Sequence, residues 1–287
     1  MGGPPPGPPG GPPQGPPPGW GPQPRQPNYA PPMWGPPPPP PPETTPQPPD
    51  GITAAGIPWS QRGRVGLDTA ACLDVNGREC GASVNLLTDI PVTDNLFVEG
   101  VVPLGVGGAN QAALGNPTLG VHYVGRLMKK MWLTGGGSLG FPLIDESTLL
   151  VGSLPRALWD FHLYHRRIVP LTLGLDWEMH ASFVEVRVEL SPSILFPLAG
   201  EDFGGGFYHA AEVQFGHGIG GGLRLQGVVA ATPEFSDKYA AALAPFFVLK
   251  RDAGYMRVAI VMPLNEPYGP PFDSTWGFNF GAGIHID

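Results

Sequence analysis

Lysine is scarce in this chain: four occur among 287 residues, Lys129, Lys130, Lys238 and Lys250, and the net charge is −8. No basic patch is present, which excludes nucleic acid as a partner, because phosphate recognition needs clustered cations. Long apolar runs are missing too. The longest, from Tyr239 to Leu249, contains Pro245 and falls well short of the roughly 20 residues that a spanning helix requires. Residues 1 to 20 lack the charged start and apolar stretch of a secretory signal, so such a signal is expected to have been removed or to lie upstream. Motifs of catalysis are absent as well: there is no GxSxG, no HExxH and no Cys/His metal spacing. The glycine runs at 135–137 and 204–206 lack the lysine of a phosphate loop. An enzyme is therefore not expected, and neither a cofactor nor a metal is predicted.

What the chain does have divides it in two. Half of residues 1 to 50 are proline, and most of the others are Gly, Gln and Asn. Such a segment cannot bury enough apolar surface to offset its ordering entropy, so residues 1–60 are expected to be a disordered, polyproline-like tail. At about 3.1 Å per residue its reach is on the order of 150 Å, which would suit contact with peptidoglycan or a periplasmic protein, with Trp20, Tyr29 and Trp34 as points of attachment. Residues 61–287 are long enough for one large all-β domain.

The stretch LTLGLDWEMH at 171–180 shows the grammar of that domain. One parity is Leu171, Leu173, Leu175, Trp177 and Met179, and the other is Thr172, Gly174, Asp176, Glu178 and His180. Strict alternation marks a strand with two unlike faces. Twelve such segments are predicted, near 63–71, 80–88, 94–104, 116–126, 131–143, 170–181, 184–197, 207–217, 219–231, 239–250, 254–264 and 275–286. Several reach the nine to eleven residues with which a tilted strand crosses a bilayer. Their connections alternate in length. Short ones include residues 127–130, 182–183 and 251–254, whereas long ones cover 105–115, 144–169, 199–206, 232–238 and 265–274. Short turns on one side and long loops on the other are the pattern of a transmembrane antiparallel β-barrel, with the termini on the short-turn side. The placement of Trp132, Trp177, Phe183, Phe215 and Tyr255 near short turns, and of Tyr208, Tyr239 and Trp276 near long loops, predicts two interfacial girdles.

The stretches LGNPTLGVHYVG at 114–125 and MPLNEPYGPPFDSTWGFNFGAGIHID at 262–287 resemble parts of Gram-negative outer-membrane β-barrel proteins, loosely transporter-like or porin-like, many of them without an assigned function. The resemblance covers about residues 64–287. It implies a location in the bacterial outer membrane, with membrane lipid and small solutes as partners. One departure is the ending Ile286-Asp287, where such barrels usually carry a terminal aromatic residue.

On this basis Leu171 to Met179 face lipid by alternate residues, and the opposite parity faces a polar lumen. The lumen-lining candidates are Asp176, Glu178, His180, Glu185, Arg187, Glu189, Glu212, Arg224 and Arg257, accompanied by Glu99, His122 and Arg126. Such a set could govern which ions pass a pore, or could form cross-strand ion pairs that fill a narrow barrel. Cys72 and Cys80 bracket the turn signal Asn76-Gly77, so a disulfide across the first long-side loop is predicted. The segment 155–169 suits either a short helix in the longest loop or a thirteenth strand; the helix is expected, because a further strand would break the parity of the loops, and it would fold into the pore or cap the barrel. Three functions stay open: a channel or transporter for small solutes, first; a structural or surface-interaction barrel with a filled lumen; and a secreted soluble β domain.

Overall fold

The computed structural model describes residues 63–74, 81–106, 112–144, 160–164, 167–198, 203–231, 239–265 and 275–286. The proline-rich tail, Cys80, the Asn76-Gly77 turn and residues 145–159 of the longest loop lie outside them.

The described residues form thirteen strands: β1 (Arg64–Asp74), β2 (Ala82–Pro91), β3 (Leu96–Val106), β4 (Ala112–Leu114), β5 (Thr118–Met128), β6 (Met131–Gly140), β7 (Ile168–Ala181), β8 (Val184–Pro197), β9 (Gly204–Phe215), β10 (Ile219–Ala231), β11 (Tyr239–Arg251), β12 (Gly254–Pro263) and β13 (Thr275–His285). All pairings are antiparallel. Each strand pairs with the next in sequence, except that β3 pairs with both β4 and β5, and the β1–β13 pairing closes the ring. Twelve strands thus make a closed barrel, which leaves no free sheet edge. The three-residue β4 is an addition that folds back on the end of β3, Leu104 opposite Leu114.

The connections keep the predicted parity. Two residues, Ser182 and Phe183, join β7 to β8, with Ser182 in the left-handed region at φ 52° as a tight hairpin demands. Gly216, at φ 91°, opens the three-residue link from β9 to β10. The start of β1 and the end of β13 meet at this same side, where Ile286 N donates to Gly63 O at 2.9 Å.

The helix expected over 155–169 is not what the described part of that segment forms. A single 3-10 turn spans Phe161–Leu163, and Ile168 already belongs to β7. The reason is the barrel ladder: Ile168 pairs with Pro197 and Val169 with Phe196, so β8 recruits these residues as strand.

Burial shows which side of the sheet is which. Leu173 is 51% exposed and Leu175 44%, whereas Glu178 is 1% exposed. The same holds around the ring, with Leu86, Val121, Phe196, Leu225, Phe247 and Phe278 exposed and Ser83, Asn85, Glu212, Gln214 and Gln226 buried. Apolar side chains face outward and polar ones inward, the reverse of a water-soluble domain and the arrangement that lipid selects.

Two aromatic girdles are only partly present. Phe183, Phe215, Tyr239 and Trp276 are exposed on the outer face. Trp132, Tyr208 and Tyr255 are not girdle residues. Trp132 is 1% exposed and packs with Phe97 and Val124 on the inward parity, Tyr208 pairs with Ser191 and binds Arg224, and Tyr255 pairs with Lys250 across the lumen-facing ladder. Nearness to a turn sets depth in the membrane, but register decides the face.

Candidate functional site: the lumen

Register places the nine main lumen candidates on one face. In β7 and β8, Asp176 lies opposite Glu189, Glu178 opposite Arg187 and His180 opposite Glu185. The ladder continues with Arg187 opposite Glu212 in β9, then Glu212 opposite Arg224 in β10. Arg257 in β12 sits opposite Val248 of β11, whose inward neighbours include Phe246 and Lys250.

These side chains join into a zigzag of alternating sign. Arg187 Nε donates to Asp176 Oδ2 at 2.7 Å and lies 3.1 Å from Glu189 Oε1. Arg224 grips Glu189 with two nitrogens, donates to Glu212 Oε2 at 3.0 Å, and also reaches Tyr208 and Gln226. Glu212 in turn accepts from Arg257 at 3.1 and 2.8 Å. Three carboxylates and three guanidiniums therefore balance one another from β7 to β12. Arg257 is further held 3.9 Å above the ring of Phe246. Nearer the short turns, Lys250 Nζ of β11 donates to Glu185 Oε2 of β8 at 2.8 Å, and His180 bonds to Glu178. Contacts between strands that are not neighbours in the sheet, β8 with β11 and β9 with β12, cross the interior and not merely the ladder.

Toward the long loops this wall turns apolar. Ile168, Leu195, Val228, Ala240, Ala242, Ala244 and Val261 pack together against Tyr208. Strands β7 to β12 thus carry an apolar cluster above a charge-balanced belt, and the belt's Asp176, Arg187 and Glu189 border a cavity.

The opposite wall is different. A cavity of about 240 Å³ is bounded by Arg64, Asp89, Glu99, His122, Asp176 and Arg187, together with small residues of β6 and β7 such as Gly136 and Gly174. Arg64 Nε donates to Asp89 Oδ2 at 2.5 Å, and His122 Nδ1 lies 3.2 Å from Glu99 Oε2. Above it, residues 160–164 turn into the mouth. Tyr164, 1% exposed, donates its hydroxyl to Asn85 Oδ1 at 2.8 Å, and Leu163 and Ile144 pack with it against Val101. Asn116 ties both ends of the loop together: its Nδ2 donates to His162 O at 3.3 Å, and its Oδ1 accepts from Leu143 N and Ile144 N at 3.1 and 3.3 Å. Burial pushes the His162 imidazole down, against the weaker upward pull of Asp160.

Several inward residues escape a reading by local pattern. Arg64, Asp68, Lys250 and Tyr208 carry the right parity but sit in segments whose alternation is diluted by Gly and Ala. Asp89 lies one residue beyond the predicted end of its strand. Arg126 keeps the inward parity, opposite Trp132, but stands exposed at the short-turn rim, donating to Met128 O and Lys129 O.

No protein-family model matches this chain, and no curated protein matches it in sequence. Solved structures do match. The NanC porin aligns at a TM-score of 0.50 with 7% identity, covering 77% of this chain and 99% of that one. The KdgM porin in complex with disordered oligogalacturonate aligns at 0.48 with 10% identity over 78% of this chain and 100% of that one. OmpTdeltaL8, a loop deletion mutant of an outer membrane protein of Vibrio cholerae, aligns at 0.39 with 9% identity over 78% and 98%. At such identities the likeness is one of fold alone, and in fold this chain is a closed twelve-stranded antiparallel barrel.

Proposed function

We propose that this protein is a Gram-negative outer-membrane channel for small solutes, with a narrow polar path along the β1–β8 wall. The observation that carries this is the asymmetry of the lumen. The β9–β12 side is occupied by the ion-pair belt and its apolar cluster, whereas between the belt's Asp176, Arg187 and Glu189 and the β1–β6 wall lies a cavity of about 240 Å³ walled by titratable side chains and by glycines that hold it open. A barrel needed only as a scaffold has no reason to leave one wall both charged and unfilled. The nine lumen candidates then have two roles: Asp176, Arg187 and Glu189 border the path, and Glu178, His180, Glu185, Glu212, Arg224 and Arg257 brace the wall behind it.

The inward segment at the mouth favours a second reading, a barrel closed at the long-loop end by Tyr164 and its neighbours. Planar-bilayer recording of the refolded full chain decides between them. Discrete conductance steps are expected for the wild type. Their absence in both the wild type and a Tyr164→Gly variant would leave the closed barrel as the function.

A further inference from the structure

The geometry points to a divalent transition-metal site inside the lumen, formed by Asp89, Glu99 and His122. These residues come from three adjacent strands, β2, β3 and β5, and ligand atoms of all three lie within 4.8 Å of one another. One imidazole with two carboxylates is the donor set that suits zinc and its first-row neighbours, whereas magnesium and calcium prefer oxygen alone.

The surroundings are arranged to hold that set. His122 stacks on Phe97 with ring centroids 5.0 Å apart and planes 11° from parallel, which fixes the imidazole. Arg64 holds one oxygen of the Asp89 carboxylate and leaves the other to a ligand, a supporting contact of the kind that orients metal-binding carboxylates. Space for the two remaining side chains comes from glycine. A Cβ at Gly120 would fall 2.5 Å from Glu99 Oε1, and one at Gly136 would fall 2.6 Å from the His122 Cβ. Charge agrees: Asp89 and Glu99 outnumber Arg64 by one, whereas the belt across the lumen is balanced. All three ligands border the cavity, so an ion has both an entry path and room for a water at its open position.

A second cluster, Glu178, His180 and Glu185, has comparable spacing but is a poorer candidate. Lys250 already occupies Glu185 at 2.8 Å, and none of its members borders the cavity. The first cluster has no linear motif, since its three ligands are spread over 34 positions, Asp89 to His122, and meet only through the β2–β3–β5 register.

The test is calorimetric titration of zinc chloride into the folded full chain in detergent, with folding verified by heat-modifiable migration on a gel. One zinc per chain is expected to be lost, or weakened at least tenfold, in His122→Gln and in Glu99→Gln, and retained in His180→Gln. Gly120→Ala, which keeps every ligand, is expected to weaken binding as well by crowding Glu99. X-ray absorption at the zinc edge should show one imidazole among oxygen donors. Zinc binding that is unchanged in folded His122→Gln, or no tighter than magnesium binding in the wild type, overturns the assignment.

Discussion

Leu175 illustrates how completely the outer solvent governs a single position here. It is 44% exposed, sits mid-strand in β7, and lies opposite Leu190 on the same outward face. In a water-soluble protein, Leu175→Arg at so exposed a site would be near neutral. In the bilayer, arginine at this depth should cost about 2 to 4 kcal/mol. Equilibrium unfolding of the variant in lipid vesicles measures the difference, and a change within about 0.5 kcal/mol would place this face in water. Identity at this scale was legible in sequence wherever alternation was clean. LTLGLDWEMH displays both faces without ambiguity, as does the Val184 to Leu190 stretch. It was not legible where small residues blur the pattern. Trp132 and Tyr208 are indistinguishable from girdle aromatics until their partners, Glu178 and Ser191, assign them to the inside.

Among the elements, the twelve ring strands could be read from the chain because period two and connection length are both local properties. The bounds shift by a few residues at most, since ladder pairing and not propensity terminates each strand. What stayed hidden was non-local. The 3-10 turn at Phe161–Leu163 depends on Asn116, some 45 residues earlier in the chain, and the metal-ligand set depends on register across three strands. The inward segment also makes a pH prediction. His162 has its pKa lowered by burial, so the docked segment favours the neutral ring. A depressed histidine leaves docking undisturbed above the ordinary value, about 6.5, and weakens it as the pH falls below that. Conductance is therefore expected to rise on acidification below about pH 6.5, and His162→Gln should flatten that response. A wild-type conductance that stays constant from pH 8 to pH 5 would show that the segment does not gate the path.

At the scale of the whole molecule, closure of the ring removes every edge, and the remaining question is what braces a barrel whose interior is not an apolar core. The belt from Asp176 to Arg257 answers it, because its contacts run between strands that are not neighbours in the sheet. Arg224 is its centre, with a side chain 14% exposed and bound to both Glu189 and Glu212. Replacing it by methionine keeps much of its volume but leaves two carboxylates short of a partner. Removing one member of a buried pair typically costs about 3 to 5 kcal/mol. The loss should not fall equally on the two acids. Glu212 keeps Arg257, and Glu189 keeps only the single contact with Arg187 at 3.1 Å, a residue already committed to Asp176. Glu189→Gln in the Arg224→Met background is therefore expected to recover a substantial part of the loss by deleting the more poorly compensated charge. The readout is the unfolding free energy in vesicles, together with the temperature at which the folded, faster-migrating band disappears. If Arg224→Met alone stays within about 0.5 kcal/mol of the wild type, water must already reach these charges, and the β7–β12 half of the lumen would then be open to solvent.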